Sequence, residues 1–469
     1  MKRLLLFLLT VGLYGVAEAG TLYVSTTGAT TNSGSRDEDA AALSGTPGAG
    51  TGAYATSLST NVVRFESAVD LSGVVTSGSS QDTIYLASAT NSNMKIFWIT
   101  AVNDAADTLT VHANMTQSTA STMTWTIGGR HVLTNASIEG SLRAGDTLIF
   151  NNSPASAAGV RWTFRNSGTY AAGHAKIKGA TGTRPQLITT DTANVINVGQ
   201  NYVWIENLEL IQQGASGAAV VGAGSNAVLY NVKISDAGGA AVAPTATLWR
   251  YVACEFSGVG GDGISHVNTG ATNPMVVGSY VHDVGGDCME TWGTPLMTVV
   301  GNIFDTCAAI GLYEDSGLGS VINNHVLIYG NTIYKTGQDG LKTFNTATFQ
   351  PVLMNNIFKD NGDTGTEYNI NFGADFARYG IGISNIFNIS GARGGGNLNN
   401  YTASASDLTT DPLFTDGDAG NFALQATSPA KAAGYPGAFL GGSTGYLDIG
   451  AVQRQESGSG GGKSIFFWD

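Results

Sequence analysis

The chain has 469 residues and a formal net charge of −13, with 42% hydrophobic and only 12% charged residues. Apolar content at that level, spread in short runs, excludes a disordered chain. An acidic chain without a basic cluster lacks the footprint that binds a nucleic-acid backbone or an anionic membrane.

Residues 1–19 read as a secretory signal. Lys2 and Arg3 precede an apolar run over 4–16, and Ala17-Glu18-Ala19 makes a small-x-small cleavage site before Gly20. The run is too short to span a bilayer comfortably, and no later segment reads as transmembrane. The expected location is extracellular or at the cell surface, with no membrane insertion.

Residues 20–130 are expected to form a small β module with a loop-like start. Its strand candidates are "VVRF", "DTIYLAS", "IFWITAV" and "TLTVHA", with the polar bend "NDAAD" at 103–107. Residues 131–410 are expected to form a second, larger domain, and from about residue 200 the chain repeats a pattern of an alternating apolar run, a small or polar turn and a second short apolar run. Aligned by eye, the repeats carry anchors at Leu210, Ile234, Phe256, Val281, Ile303, Ile333, Ile357 and Ile386. A repeat of roughly two dozen residues implies a solenoid. The alternation has period two, which rules out helical repeats, and the Leu/Asn signature of leucine-rich repeats is missing. What remains is an all-β coil of short parallel strands with turns stacked about 4.8 Å apart. Residues 411–454 are expected to cap its far end. Residues 455–469 form a Gly/Ser-rich tail that ends in "SIFFWD", whose aromatics suggest an attachment peg.

Three cysteines, Cys254, Cys288 and Cys307, cannot complete a disulfide framework and match no zinc spacing, so buried thiols are expected.

Asp262, Asp287 and Asp339 each fall six residues after an anchor, in "GGDG", "GGDC" and "GQDG". Asp before a small residue favours a bend in which the carboxylate bonds backbone N–H groups. If such residues stack on neighbouring turns, carboxylates come within about 5 Å of one another. The group must then be hydrated, share a proton or hold a cation. Calcium fits such oxygens, with Asp262, Asp287, Glu314 and Asp315 as candidate ligands and Glu290 beside them. Glu290 and Lys342 each lie nine residues after an anchor, so they are expected on one face two turns apart.

The sequence resembles right-handed parallel β-helix proteins of the pectate-lyase-like superfamily. The resemblance runs over about 131–454: "RAGDTLIF" as the opening strand, the repeats, and the closing segments "DPLFTDGDAGNFALQATSPAKAAG" (411–434) and "YLDIGAVQRQ" (446–455). It implies an exported protein that binds a polysaccharide or cell-surface glycan, as monomer or homotrimer, and cleaves it as a lyase or glycoside hydrolase. Lys342, Asp287 and Glu290 would then be the catalytic candidates. His266, His282, Trp292, Tyr313 and Asp339 would be the substrate-binding ones, with Tyr280 and Phe344 as further rings for sugars. The arginine pattern of well-known pectate lyases is absent. So is the polygalacturonase set of an Asp pair, Gly-His-Gly and Arg-x-Lys. The resemblance therefore also implies an alternative, a non-catalytic appendage or adhesin of the phage tail-spike type.

Overall fold

The computed structural model describes residues 21–453 except 26–42, 46–52, 56–60, 66–68, 88–95, 112–121, 128–130, 133–140, 152–161, 164–167, 268–272, 293–295, 316–323, 344–348, 373–380, 391–395, 436–446 and a few isolated positions between 78 and 193. Residues 1–20, which hold the expected signal, the tail and Phe344 lie outside the described residues. Two compact units emerge: Met1–Ile188 with Asn197–Leu208, and Thr189–Ile196 with Glu209–Asp469. Among the described residues there is no α-helix, and no helix is long and apolar enough to cross a membrane.

In the first unit Thr21–Ser25 pairs in parallel with Thr147–Phe150, which pairs with Ala175–Gly179. An antiparallel module is inserted between the first two of these strands. Its strand Thr83–Ala87 pairs with Ile96–Asn103 on one edge and Thr122–Ile127 on the other, which closes the sheet into a small barrel. Closure leaves no long open edge to template aggregation. The predicted bend "NDAAD" is the turn between Ile96–Asn103 and Thr108–Val111. Asp104 and Asp107 accept the backbone N–H groups of Leu71 and Val69, and Phe65, Ile84, Phe97 and Trp125 fill the interior.

The second unit is a coil with three walls, visited in the same order on every turn. The first wall stacks eight strands from Glu209–Gln212 to Ile386–Asn388. The second stacks eight from Val220–Gly222 to Gly396–Asn399. The third stacks seven from Val228–Tyr230 to Ile381–Ile383. All pairings within the walls are parallel and in register. Each turn is therefore a flat rung, and equivalent residues form straight rows. Strands of three to six residues hold because each inward residue meets its own kind above and below. The inward row of the first wall is Leu210, Ile234, Phe256, Val281, Phe304, Ile333, Phe358 and Phe387, all fully buried.

Three anchors read from sequence, Ile303, Ile357 and Ile386, are one residue off this row. The cause is physical. They point outward, yet they too are buried, because the C-terminal segment covers them with Phe414, Phe422, Ala430 and Ile449. A wall covered on both faces loses its period-two pattern, so the inward position cannot be told from its neighbour. The same finding relocates the C-terminal segment. Instead of lying across the coil's end, residues 414–435 and 447–451 run along the flank of the first wall. Tyr334 Oη donates to Asp418 (2.5 Å), Asn355 Nδ2 to the Tyr435 carbonyl (2.7 Å) and the Gly450 amide to the Asn355 carbonyl (2.8 Å).

The corner between the third and first walls needs a left-handed residue on every turn: Asn231, Ala253, Gly278, Gly301, Gly330, Asn355 and Ser384, with φ between 51° and 66°. The residue after each points inward, and in the later turns it is asparagine. Asn302, Asn331, Asn356 and Asn385 are all fully buried. Each Nδ2 donates to the Oδ1 of the next, and each Oδ1 also accepts the backbone N–H of the previous one, at 2.9–3.1 Å. The ladder ends on Asp407. The repeated dipeptides Gly-Asn, Asn-Asn and Ser-Asn are thus a corner followed by a ladder rung.

Cys288 and Cys307 form a disulfide with Cα atoms 5.5 Å apart, and only Cys254 remains a buried thiol. This corrects the expectation of three thiols. A separation of 19 residues is short of one coil period, so the two are not row partners, but one turn returns the chain past its own start. Thiol titration in denaturant should find one free thiol before reduction and three after. The double change Cys288→Ser with Cys307→Ser should cost about 3 kcal/mol, from the loop closed in the unfolded chain.

Candidate functional site

The second wall presents an outward row of Ser265, Glu290, Tyr313, Lys342, Asn371 and Asn399. The shared face expected of Glu290 and Lys342 is present. They stand two rungs apart, about 9.6 Å at the usual strand spacing, with Tyr313 between them.

Asp262, Asp287 and Asp339 sit at the corner just before this wall, and each ties its own turn to the next. Asp262 Oδ1 accepts the Asp287 amide (2.9 Å), Asp287 Oδ1 the Ile310 amide (2.7 Å) and Asp339 Oδ1 the Tyr368 amide (2.7 Å). The predicted bend bonds are therefore real, but they run between turns and not within one bend. The turns must approach closely for this: a Cβ on Gly286 would lie 2.3 Å from Asp262 Oδ1.

Oxygens of Asp262, Asp287 and Glu290 come within 4.8 Å of one another. Burial pushes the Asp287 carboxyl up to about 6, against the lowering effect of the Ile310 amide, and the Asp262 charge adds to the rise. Burial likewise pushes Glu290 up to about 7. The Trp292 indole opposes that rise by donating to Glu290 Oε1 at 2.9 Å, while the charges of Asp262 and Asp287 reinforce it. Burial and like charge thus raise two adjacent carboxyls toward neutral pH, the condition under which an acid and an anion can stand side by side. Lys342 lies 3.5 Å from Asp339 Oδ2, to which Asn371 Nδ2 also donates (3.0 Å), and Asn399 Nδ2 donates to Asn371 Oδ1 (2.8 Å).

Both raised carboxyls lie above the unfolded value of about 4. The native state therefore binds extra protons between roughly pH 4 and pH 7, and stability falls as pH rises through that window. The melting temperature should drop between about pH 5 and about pH 8, and Glu290→Gln should make that drop smaller.

The other predicted residues are distributed differently. Strand alternation turns Tyr313 outward and Glu314 inward, so Glu314 is buried (1% exposed) in the row of His266, Thr291 and Thr343, away from the acidic cluster. His266 is fully enclosed, with Nε2 2.8 Å from the Tyr251 hydroxyl, and has no surface to offer a glycan. His282 belongs to the first wall. It stacks on Tyr280 with ring centroids 4.1 Å apart and lies between Asp283 and Glu255. Tyr280 packs toward Phe422 of the C-terminal segment. Asp315 pairs with Trp292, and its side chain lies outside the described residues.

Asn371 and Asn399 are row members that the sequence reading missed. In four successive turns, from Ser265 to Lys342, the row residue follows the inward first-wall residue by nine positions, but in the next turn by thirteen, because residues 361–367 form a longer corner. For calcium, the donor set fits in part. Each of the three clustered carboxylates has one oxygen engaged by an N–H, and Glu290 also bonds Asp262, so the trio offers at most three of the roughly six to eight oxygens such an ion takes.

The walls and their outward row define a parallel β-helix. Residues 161–388 match the family model described as "right handed beta helix region", and the protein is a right-handed parallel β-helix protein. No curated protein matches it. Among solved structures it is similar to the pectate lyase Pel9A (14% identity over 70% of this chain and 92% of that one, TM-score 0.41). It is also similar to the catalytic unit of the GH87 alpha-1,3-glucanase from Streptomyces thermodiastaticus strain HF3-3 (14%, 71% and 83%, TM-score 0.33). A third is the tailspike protein gp49 from Pseudomonas phage LKA1 (11%, 84% and 69%, TM-score 0.23). At these identities the likeness concerns fold and not chemistry.

Proposed function

We propose that the protein is exported, that it binds an extended polysaccharide along the second wall, and that it cleaves the chain as a glycoside hydrolase. The observation that carries this reading is the acidic trio. Asp262, Asp287 and Glu290 combine a proton donor and an anion within 4.8 Å, beside Trp292 and Tyr313 as sugar-stacking rings. Glu290, raised to about 7, gives its proton to the glycosidic oxygen as the bond from that oxygen to the sugar carbon breaks. The Asp262–Asp287 pair supplies the anion that stabilises or traps the sugar cation; water then adds its hydroxyl to that sugar carbon, freeing the carboxylate, and leaves its proton on Glu290. Carboxylate oxygens no more than 4.8 Å apart fall short of the roughly 6.5–9.5 Å gap of the inverting class, which favours the retaining one. Lys342 is held by Asp339 as a cation for substrate oxygens and not as a free base. A calcium ion at the trio would instead support lyase chemistry on a uronate, by offsetting the charge that builds at the carboxylate end.

The test is a panel of neutral and uronate-rich polysaccharides, with and without chelator, followed by reducing-end and ultraviolet assays. Reducing ends without unsaturated products, insensitive to chelator, are expected. Unsaturated products lost on chelation would replace hydrolysis by elimination. Neither binding nor turnover on any glycan would leave the appendage reading.

A further inference from the structure

The three walls of the coil differ on their outer faces. The first is apolar in its later turns and covered by the C-terminal segment. The second is polar and carries the acidic row. The third is apolar, and the cluster built by the C-terminal segment includes none of its outward residues. Its two outward rows run from Val228 to Ile381 and from Tyr230 to Ile383 over seven strands, and of those fourteen positions only Arg250 is charged. Met275, Val277, Leu327, Val352, Met354 and Ile383 are half-buried, while Tyr230 is 38% and Ile381 55% exposed. The inward partners in the same strands, such as Val276, Ile328 and Leu353, are completely buried, so the outward set is surplus to the coil's own core.

We propose that this face is a self-association surface, on which a second copy of the chain packs sheet against sheet. Seven strands span about 29 Å, and strands of three to six residues give a width of roughly 10–20 Å, so the flat area is on the order of 450 Å². Standing side chains enlarge the accessible area further, and two such faces together reach the roughly 1,000 Å² that a specific interface requires. A patch of this size is as large as the largest on an ordinary monomer, where such patches often serve contacts. The near absence of charge favours a like surface over an acidic or basic partner, because two such faces bury no ion over the five strands from Met275 to Ile381, Arg250 standing near one end. Flatness favours two copies. One sheet face packs against one other at about 10 Å, whereas three flat walls around an axis touch only along their margins.

The experiment is light scattering on the full secreted chain at micromolar concentration, with two doubly substituted variants. One carries Met275→Glu and Val277→Glu, the other Met275→Lys and Val277→Lys. Both sites point outward, so circular dichroism should match the parent. The expected result is a parent of twice the monomer mass, two monomeric variants, and a dimer again when the two are mixed. A monomeric or trimeric parent, or variants that remain dimeric, would overturn the proposal. So would a monomeric parent that adsorbs to neutral phospholipid vesicles, since the face would then serve a lipid surface. If both variants fold and are monomeric but their mixture does not dimerise, the substituted positions do not meet across the contact and the face-to-face packing fails.

Discussion

Asn331→Leu is expected to lower stability by about 3–6 kcal/mol, one of the largest losses available to a single change in this chain. The new side chain is similar in size and apolar, so no cavity explains the loss. What it removes is one rung of the buried ladder. Asn331 Nδ2 donates to the Val299 carbonyl and to Asn356 Oδ1, and its Oδ1 accepts both the amide and the Nδ2 of Asn302. Leucine leaves the Val299 carbonyl and two Asn302 donors buried without partners, at about 1–3 kcal/mol each. Asn331→Asp keeps an acceptor but loses the donor and buries charge, so it should do no better. Denaturant unfolding checks both. A loss below 1 kcal/mol for the leucine variant would mean that water enters the corner and takes over the bonds.

Glu290→Gln should reduce turnover by about 10²–10⁴-fold on whichever polysaccharide the parent cleaves, while leaving binding nearly intact. Glutamine keeps the acceptor for the Trp292 indole but carries no transferable proton. Asp287→Asn should be nearly as damaging to rate, because it removes the anion while its amide oxygen still receives the Ile310 N–H. Folding is thereby preserved in both, and the rate loss reports chemistry. If the two variants turn over like the parent, the trio serves structure alone. Lys342→Ala separates the roles further: as a charge that meets substrate, it should raise KM more than it lowers kcat.

Much of this arrangement was legible in the sequence, for identifiable reasons. Period-two alternation at a near-constant interval announces stacked parallel strands. The equal offset of Glu290 and Lys342 from their anchors translates directly into a shared outward row. Legibility failed wherever two signals coincided. Covered strands such as Ile303–Asp305 show apolar residues on both faces, so the inward position slipped by one. Glu314 looks like another acidic ligand until strand alternation turns it inside. The asparagine ladder was present in plain view as Gly-Asn and Asn-Asn pairs, but the same dipeptides serve ordinary turns, and only stacking reveals that the second residue is interior. The bond between Cys288 and Cys307 depends on how one turn closes, which a spacing of 19 residues does not disclose.

The position of the C-terminal segment bears on how the chain is made. Ile303, Ile357 and Ile386 emerge during synthesis well before Phe414, Phe422 and Ile449, which shield them. At an ordinary rate of about 5–20 residues per second, a nascent coil stands with that greasy stripe uncovered for several seconds. The last stretch of chain to arrive ends that vulnerable interval.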